Sequence, residues 1–289
     1  MVGDSNTVVF NNLAFACPEF FSEPFVARAA FCRGVSAQNF ADDAGAVHPV
    51  VAEALLAHLA AVGTPSSLWP SRRALALDAY ERTHRLGAVR DRYRTPANDR
   101  LGSPVVVVMI GAADAKAVLE TLPAGCDFAL DDERFRPEAF TEGPVGPYVP
   151  AQLVHDLIAA RTAPLSRALG TLHDAGFEHL YLHSVHPPPV EDRKYTRVRD
   201  GCSQAWLRYK VALAFNLRFR AVCAERGVRF LDMWDATTSG GVLDPRFEYD
   251  GDHLNREAAH LTVTALIRDL GSRVPPPKGS APEARSRHG

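Results

Sequence analysis

The sequence predicts an α/β protein built on a five-stranded parallel sheet with helices on both faces. Three observations lead there. Pro104 to Ile110 (PVVVVMI) is a continuous apolar, β-branched run, the pattern of a strand buried on both faces. Strand-like runs alternate along the chain with stretches of helical periodicity, and such alternation closes into a parallel sheet through right-handed crossovers. The 289 residues, 46% hydrophobic and 23% charged, supply a sizeable core without help from disulfides or metals.

Taken in order, only Met1 and Val2 precede Gly3, so either the first strand is very short or the start of the chain is clipped. Thr7 to Ala16 (TVVFNNLAFA) reads as a first helix, ended by Cys17-Pro18. Val26 to Phe31, bounded by Pro24 and Gly34, reads as the second strand, with Arg33-Gly34-Val35-Ser36 at its carboxyl end. From His48 to Ala61, the spacing of Val50, Val51, Leu55, Leu56 and Leu59 fits an amphipathic helix ended by Gly63. Leu68 to Arg100 is polar and Arg-rich and receives no element.

The third strand, Pro104 to Ile110, delivers Gly111-Ala112-Ala113-Asp114 to its carboxyl end. Ala115 to Leu122 fits a helix, and Pro123 to Pro150, rich in proline and glycine, fits a surface excursion that shapes a pocket. Ala151 to Ala175 is one helix or two, because Pro164 removes the bond its N–H would make to Ala160. His179 to Val185 (HLYLHSV) is a fourth strand running into His186-Pro187-Pro188-Pro189. Ser203 to Arg226 is helical, with Trp206, Tyr209, Leu213, Leu217 and Val222 near one stripe, and Val228 to Trp234 is the last strand. The whole is a flavodoxin-like doubly wound pattern, in which sites lie at the carboxyl ends of strands. Ser5, Gly34, Asp114, His186 and the Asp250–His253 turn all fall at such ends. Residues 1–271 are expected to form one domain and 272–289, without apolar periodicity, a disordered tail.

Composition narrows the function. A formal net charge of −2 and the absence of a Lys/Arg block argue against nucleic acid and for a small, neutral or mildly charged partner. Cys17, Cys32, Cys126, Cys202 and Cys223 are odd in number and hold no Cys-x-x-Cys pair, so buried reduced thiols are expected rather than a disulfide framework or thiolate metal site. The N-terminus lacks a charged segment followed by an apolar one, and no run approaches the roughly 18 apolar residues of a membrane span. A cytoplasmic protein with no membrane partner is expected. His183 and His186, three apart on a strand, face opposite ways without a third ligand, so no metal is expected.

Chemistry concentrates in Gly3-Asp4-Ser5 and in Asp250-Gly251-Asp252-His253-Leu254-Asn255. A carboxylate three residues before a histidine, at the mouth of a helix, can hold the ring by its Nδ1–H and leave Nε2 to take a proton from a hydroxyl. Each block alone also suits a plain turn or an acidic helix cap. Asp252 competes with Asp250 for the ring, and Asp250 is favoured. Ser36 is a weak rival nucleophile, since Gly34-Val35-Ser36-Ala37-Gln38 lacks the second glycine of a nucleophile elbow.

Together the blocks resemble those of the SGNH or GDSL hydrolase superfamily, whose opening block is Gly-Asp-Ser and whose closing block is Asp-x-x-His. The resemblance covers Gly3 to about Arg268 in scattered blocks. It implies a three-layer α/β/α fold and a serine-dependent ester hydrolase of carboxylesterase or deacetylase type. Ser5 would be the nucleophile, His253 the base and then acid, and Asp250 its orienting carboxylate. The N–H groups of Ser5 and Gly34 would form the oxyanion hole, and His186 would line the substrate pocket. The family's third block is Gly-x-x-Asn, and here Asp114 stands at the position of that asparagine, an oxyanion donor. A carboxylate cannot donate unless protonated, so Asp114 is expected to turn away and accept hydrogen bonds. The implied partner is a small-molecule or glycan ester, with no cofactor. An acyltransferase using the same acyl-enzyme, or a non-catalytic binding protein on this fold, are the alternatives.

Overall fold

The computed structural model describes residues 1–17, 25–61, 105–191, 204–250 and 253–272. Five strands form the central sheet: β1 (Val2–Gly3), β2 (Ala30–Phe31), β3 (Val105–Met109), β4 (His179–His183) and β5 (Arg229–Leu231). All neighbours are parallel and the order is β2-β1-β3-β4-β5. The chain therefore leaves β1 in one direction and later crosses it to β3 in the other. That reversal opens a crevice beyond the carboxyl ends of β1 and β3, where this topology places ligands.

Helices cover both faces, as the alternation of elements requires. Along β3, Val106 and Val108 point into a layer shared with α1 (Pro49–Ala61), α2 (Ala112–Thr121), α3 (Ala151–Asp174) and α4 (Ala205–Arg226), through Val51, Val118, Leu169 and Phe215. Val107 and Met109 point the other way, to α5 (Arg256–Gly271) and to Phe10 and Leu13. This is the period of two that a doubly covered strand imposes. Each fully buried aliphatic side chain in these layers contributes about 1.5–3 kcal/mol relative to exposure.

Several expected elements are shorter or differently paired. The expected helix Thr7–Ala16 is instead a 3-10 segment, Ser5–Phe10, after which Asn12 adopts a left-handed φ of 61° and Ala14–Phe15 pairs antiparallel with Phe25–Val26. Thr7, Val8 and Val9 are β-branched, and Asn11-Asn12 favours a turn, so nothing local sustains a longer helix. The expected strand Val26–Phe31 is accordingly divided: Phe25–Val26 belongs to that antiparallel pair, and Ala30–Phe31 alone joins the main sheet. Helix α1 starts at Pro49, where a missing N–H costs nothing.

Helix α3 is continuous through Pro164, held by Leu165, Ala168, Leu169 and Leu172, all fully buried. Strand β4 stops at His183 because the Asn216 side chain takes over the Val185 backbone, Oδ1 accepting from its N–H at 2.7 Å and Nδ2 donating to its carbonyl at 2.9 Å. β5 ends at Leu231, and Trp234 already begins a short helix, Trp234–Thr237.

The stretch Pro123–Pro150 crosses the surface with one 3-10 turn, Pro137–Ala139. It is pinned from beneath. The buried Lys210 ammonium donates to Asp127 at 2.5 Å and to the Phe128 carbonyl at 2.8 Å, and lies over the rings of Phe128, Phe135 and Trp206. Arg134 joins Asp132 to Asp232 at the end of β5. Cys17, Cys32, Cys126 and Cys223 are buried. No helix among the described residues is long and apolar enough to cross a membrane. Gly63, the stretch 68–100, Cys202, Ser203, Asp252 and the tail from 273 lie outside the described residues.

Candidate active site

Ser5 stands two residues past β1, on a turn whose shape starts with Gly3. A Cβ at Gly3 would lie 1.7 Å from the Met109 carbonyl oxygen, and its φ is 153°, so only glycine lets β1 lie this close to β3. The Asp4 N–H then donates to that same carbonyl at 2.9 Å. The Asp4 carboxylate accepts from the Asn6 N–H at 2.9 Å, and its carbonyl accepts from the N–H and hydroxyl of Thr7 at 3.1 and 2.8 Å. These bonds cap the 3-10 turn and set Ser5 at the carboxyl edge of the sheet. Burial away from water pushes the Asp4 carboxyl up to about 6; the Asn6 bonds oppose the shift and the Asp114 charge adds to it.

His253 arrives from the other end of the chain, on the turn before α5. Asn255 caps that helix, its Oδ1 accepting from Glu257 and Ala258 N–H at 3.0 and 3.2 Å. Before it, the His253 N–H donates to Asp250 at 3.0 Å, and the Tyr249 N–H donates to the His253 carbonyl at 2.9 Å. The imidazole is thereby fixed: Nδ1 lies 2.8 Å from both Asp250 oxygens and Nε2 lies 2.7 Å from Ser5 Oγ. With Nδ1–H donating to the carboxylate, Nε2 is the acceptor for the Ser5 hydroxyl. The Asn6 side-chain oxygen accepts from the Leu254 N–H at 3.3 Å and ties the two turns together.

The other expected positions lie on the loop after β2, at the start of α2 and just past β4. Cys32 N–H donates to the Gly3 carbonyl at 2.8 Å, so the loop carrying Gly34 leaves β2 beside the Ser5 turn. Gly34 has φ 78° and open space where a side chain would be. Asp114, in the first turn of α2 and 1% exposed, accepts from the Ala37 and Gln38 N–H groups at 2.7 and 3.3 Å. Both its oxygens are therefore acceptors toward the loop, and the position supplies no donor to an oxyanion. Burial raises its pKa, while those amides and Arg161 oppose the rise. The Ser36 hydroxyl contacts Asn39 at 3.3 Å and the Asp114 carboxylate, with no imidazole bonded to it among the described residues. His186 is half-buried just past the clamped Val185.

Sequence reading missed Asn6, Asn39 and Asn216. Asn216 did carry a signal: it is a lone amide in the apolar run Ala212–Phe215 and Leu217, and a buried amide there has to find backbone partners. Asn6 carried none, because its partner Leu254 is 248 residues away.

No family model and no curated protein matches the sequence. Solved structures do match. One, from Streptococcus pneumonia and provisionally assigned as a platelet activating factor, is 14% identical over 93% of this chain and 81% of its own, with a TM-score of 0.45. The M. Smegmatis aryl esterase is 12% identical over 94% and 97%, with a TM-score of 0.37. The lipase/acylhydrolase from Enterococcus faecalis is 19% identical over 60% of this chain and 64% of its own, less than two thirds of its length, with a TM-score of 0.32.

Proposed function

We propose that this chain is a serine-dependent ester hydrolase of the SGNH type. The observation that carries the reading is the continuous relay from Ser5 Oγ through His253 to Asp250, at 2.7 and 2.8 Å. Ser5 Oγ attacks the acyl carbon and passes its proton to His253 Nε2. Asp250 keeps the Nδ1 proton and stabilises the imidazolium, without itself being protonated. The N–H groups of Ser5 and Gly34 hold the oxyanion; each such donor is worth about 3 kcal/mol in the transition state. His253 returns the proton to the departing alcohol, and water, activated by the same imidazole, releases the acid from Ser5. Nothing in this sequence of steps requires a cofactor. The substrate is a small-molecule or glycan ester; an alcohol in place of water would turn the same acyl-enzyme to acyl transfer.

The test is hydrolysis of a p-nitrophenyl ester series from acetate upward. Ser5→Ala is expected to keep the fold and lose kcat by roughly 10⁴-fold or more. Turnover within tenfold of the wild-type rate would remove Ser5 from the reaction.

A further inference from the structure

We propose that Asp114 is the positioning residue of the oxyanion site: it holds the turn 35–39 so that the Gly34 N–H is presented to the carbonyl at Ser5. This rests on the esterase reading above. The support is an inventory of the loop's N–H groups. Val35 donates to the Cys32 carbonyl at 3.1 Å, Ser36 to Asn39 Oδ1 at 2.7 Å, Ala37 and Gln38 to the Asp114 carboxylate, and Asn39 to the Ser36 carbonyl at 3.3 Å. Among the described residues, Gly34 and the preceding Arg33 are the members of this loop whose N–H groups have no acceptor.

The turn is closed on Gly34 itself, because Asn39 Nδ2 donates to the Gly34 carbonyl at 2.9 Å. Outside, Arg161 donates to the Gln38 side chain at 2.7 Å, placing a cation near the buried carboxylate. Asp114 is in turn fixed by the start of α2, where Gly111, at φ 118°, packs so tightly that a Cβ would come within 2.9 Å of Phe219 and Val185. A carboxylate at a position where an amide would donate is thus not merely a lost donor. Two oxygens accept two adjacent N–H groups, which an asparagine cannot do: its NH₂ would face the Gln38 N–H. An alanine leaves both amides without an acceptor.

The experiment measures kcat and KM on p-nitrophenyl acetate, fluorophosphonate labelling and Tm for full-length wild type, Asp114→Asn and Asp114→Ala. Tyr181→Phe is the control, since it removes bonds to Asp269 and Arg229 away from the site. Asp114→Ala is expected to lose roughly 100-fold in kcat, the effect of deleting one oxyanion donor, with KM within about threefold. Asp114→Asn should fall between it and wild type, and Tyr181→Phe should keep its kcat. A folded Asp114→Ala with kcat within about threefold of wild type would overturn the proposal while leaving the esterase reading intact. If the alanine variant does not fold, the asparagine variant decides: reduced kcat at unchanged KM supports positioning, and full kcat overturns it. Wild-type protein that neither labels nor turns over ester would overturn the esterase reading and this proposal with it.

Discussion

Replacing Gly3 with alanine probes the junction on which the site rests. The added Cβ would start 1.7 Å from the Met109 carbonyl oxygen, whereas real Cβ contacts essentially never fall below 3.0 Å, so β1 and β3 must separate by about 1.3 Å. The Asp4-to-Met109 bond, now 2.9 Å, would stretch past hydrogen-bonding range. Losing it costs about 1 kcal/mol, overpacking between two strands about 1–3 kcal/mol, and an alanine at φ 153° about 1–2 kcal/mol more. A loss of about 3–6 kcal/mol is therefore expected, against a typical total of about 5–15 kcal/mol. Any variant that folds carries Ser5 displaced by about 1 Å from His253, which should cost on the order of 10²-fold in acylation. Urea unfolding gives the first quantity and p-nitrophenyl acetate turnover the second. A Gly3→Ala protein within about 0.5 kcal/mol and threefold of wild type would refute the close approach of β1 to β3 as the foundation of the Ser5 turn.

Three further outcomes are expected. Burial lowers the His183 pKa from 6.5 to about 4, so only the unfolded chain takes up the proton as pH falls from 6.5 toward 4. Stability should drop by up to about 3 kcal/mol across that window. Asp4, raised from 3.8 to about 6, works in the opposite direction, since its contribution is present below pH 4 and lost as pH rises through 6. Its partial exposure makes it the smaller effect. Because burial lowers the His58 pKa to about 4 as well, and so acts in the same direction as His183, His183→Gln should lessen the loss of stability between pH 7 and 4.5 in denaturation curves. Lys210→Met leaves Asp127 and the Phe128 carbonyl without their cation and should cost about 3 kcal/mol by urea unfolding, with part recovered in the Lys210→Met/Asp127→Asn double variant. Asp250→Asn presents either an NH₂ or a weaker acceptor to Nδ1, and should lower kcat by roughly 10³–10⁴-fold at unchanged Tm.

What the sequence disclosed follows from how local each signal is. β3 was legible because a strand covered on both faces needs an unbroken apolar run, and Val105–Met109 is one. β1, with two residues, has no periodicity to read and was placed only through the chemistry of Gly3-Asp4-Ser5. Thr7–Ala16 misled because its apolar spacing suits a helix as well as the turn and antiparallel pair it forms, and tertiary pairing with Phe25–Val26 decides between them. The Asp250–His253 turn was legible since three residues of backbone determine its geometry. The bonds of Asp114 to Ala37 and Gln38 join groups more than 70 residues apart, and sequence could offer only the chemical requirement that the carboxylate find donors.

The role of Ser5 is tested most directly by intact-mass and peptide mapping after treatment with a fluorophosphonate. One phosphonyl group on the peptide that contains Ser5 is expected, absent in Ser5→Ala and formed much more slowly in Asp250→Asn. Folded wild-type protein that takes up no adduct, or carries it on another residue such as Ser36, would contradict the assignment of Ser5 as nucleophile.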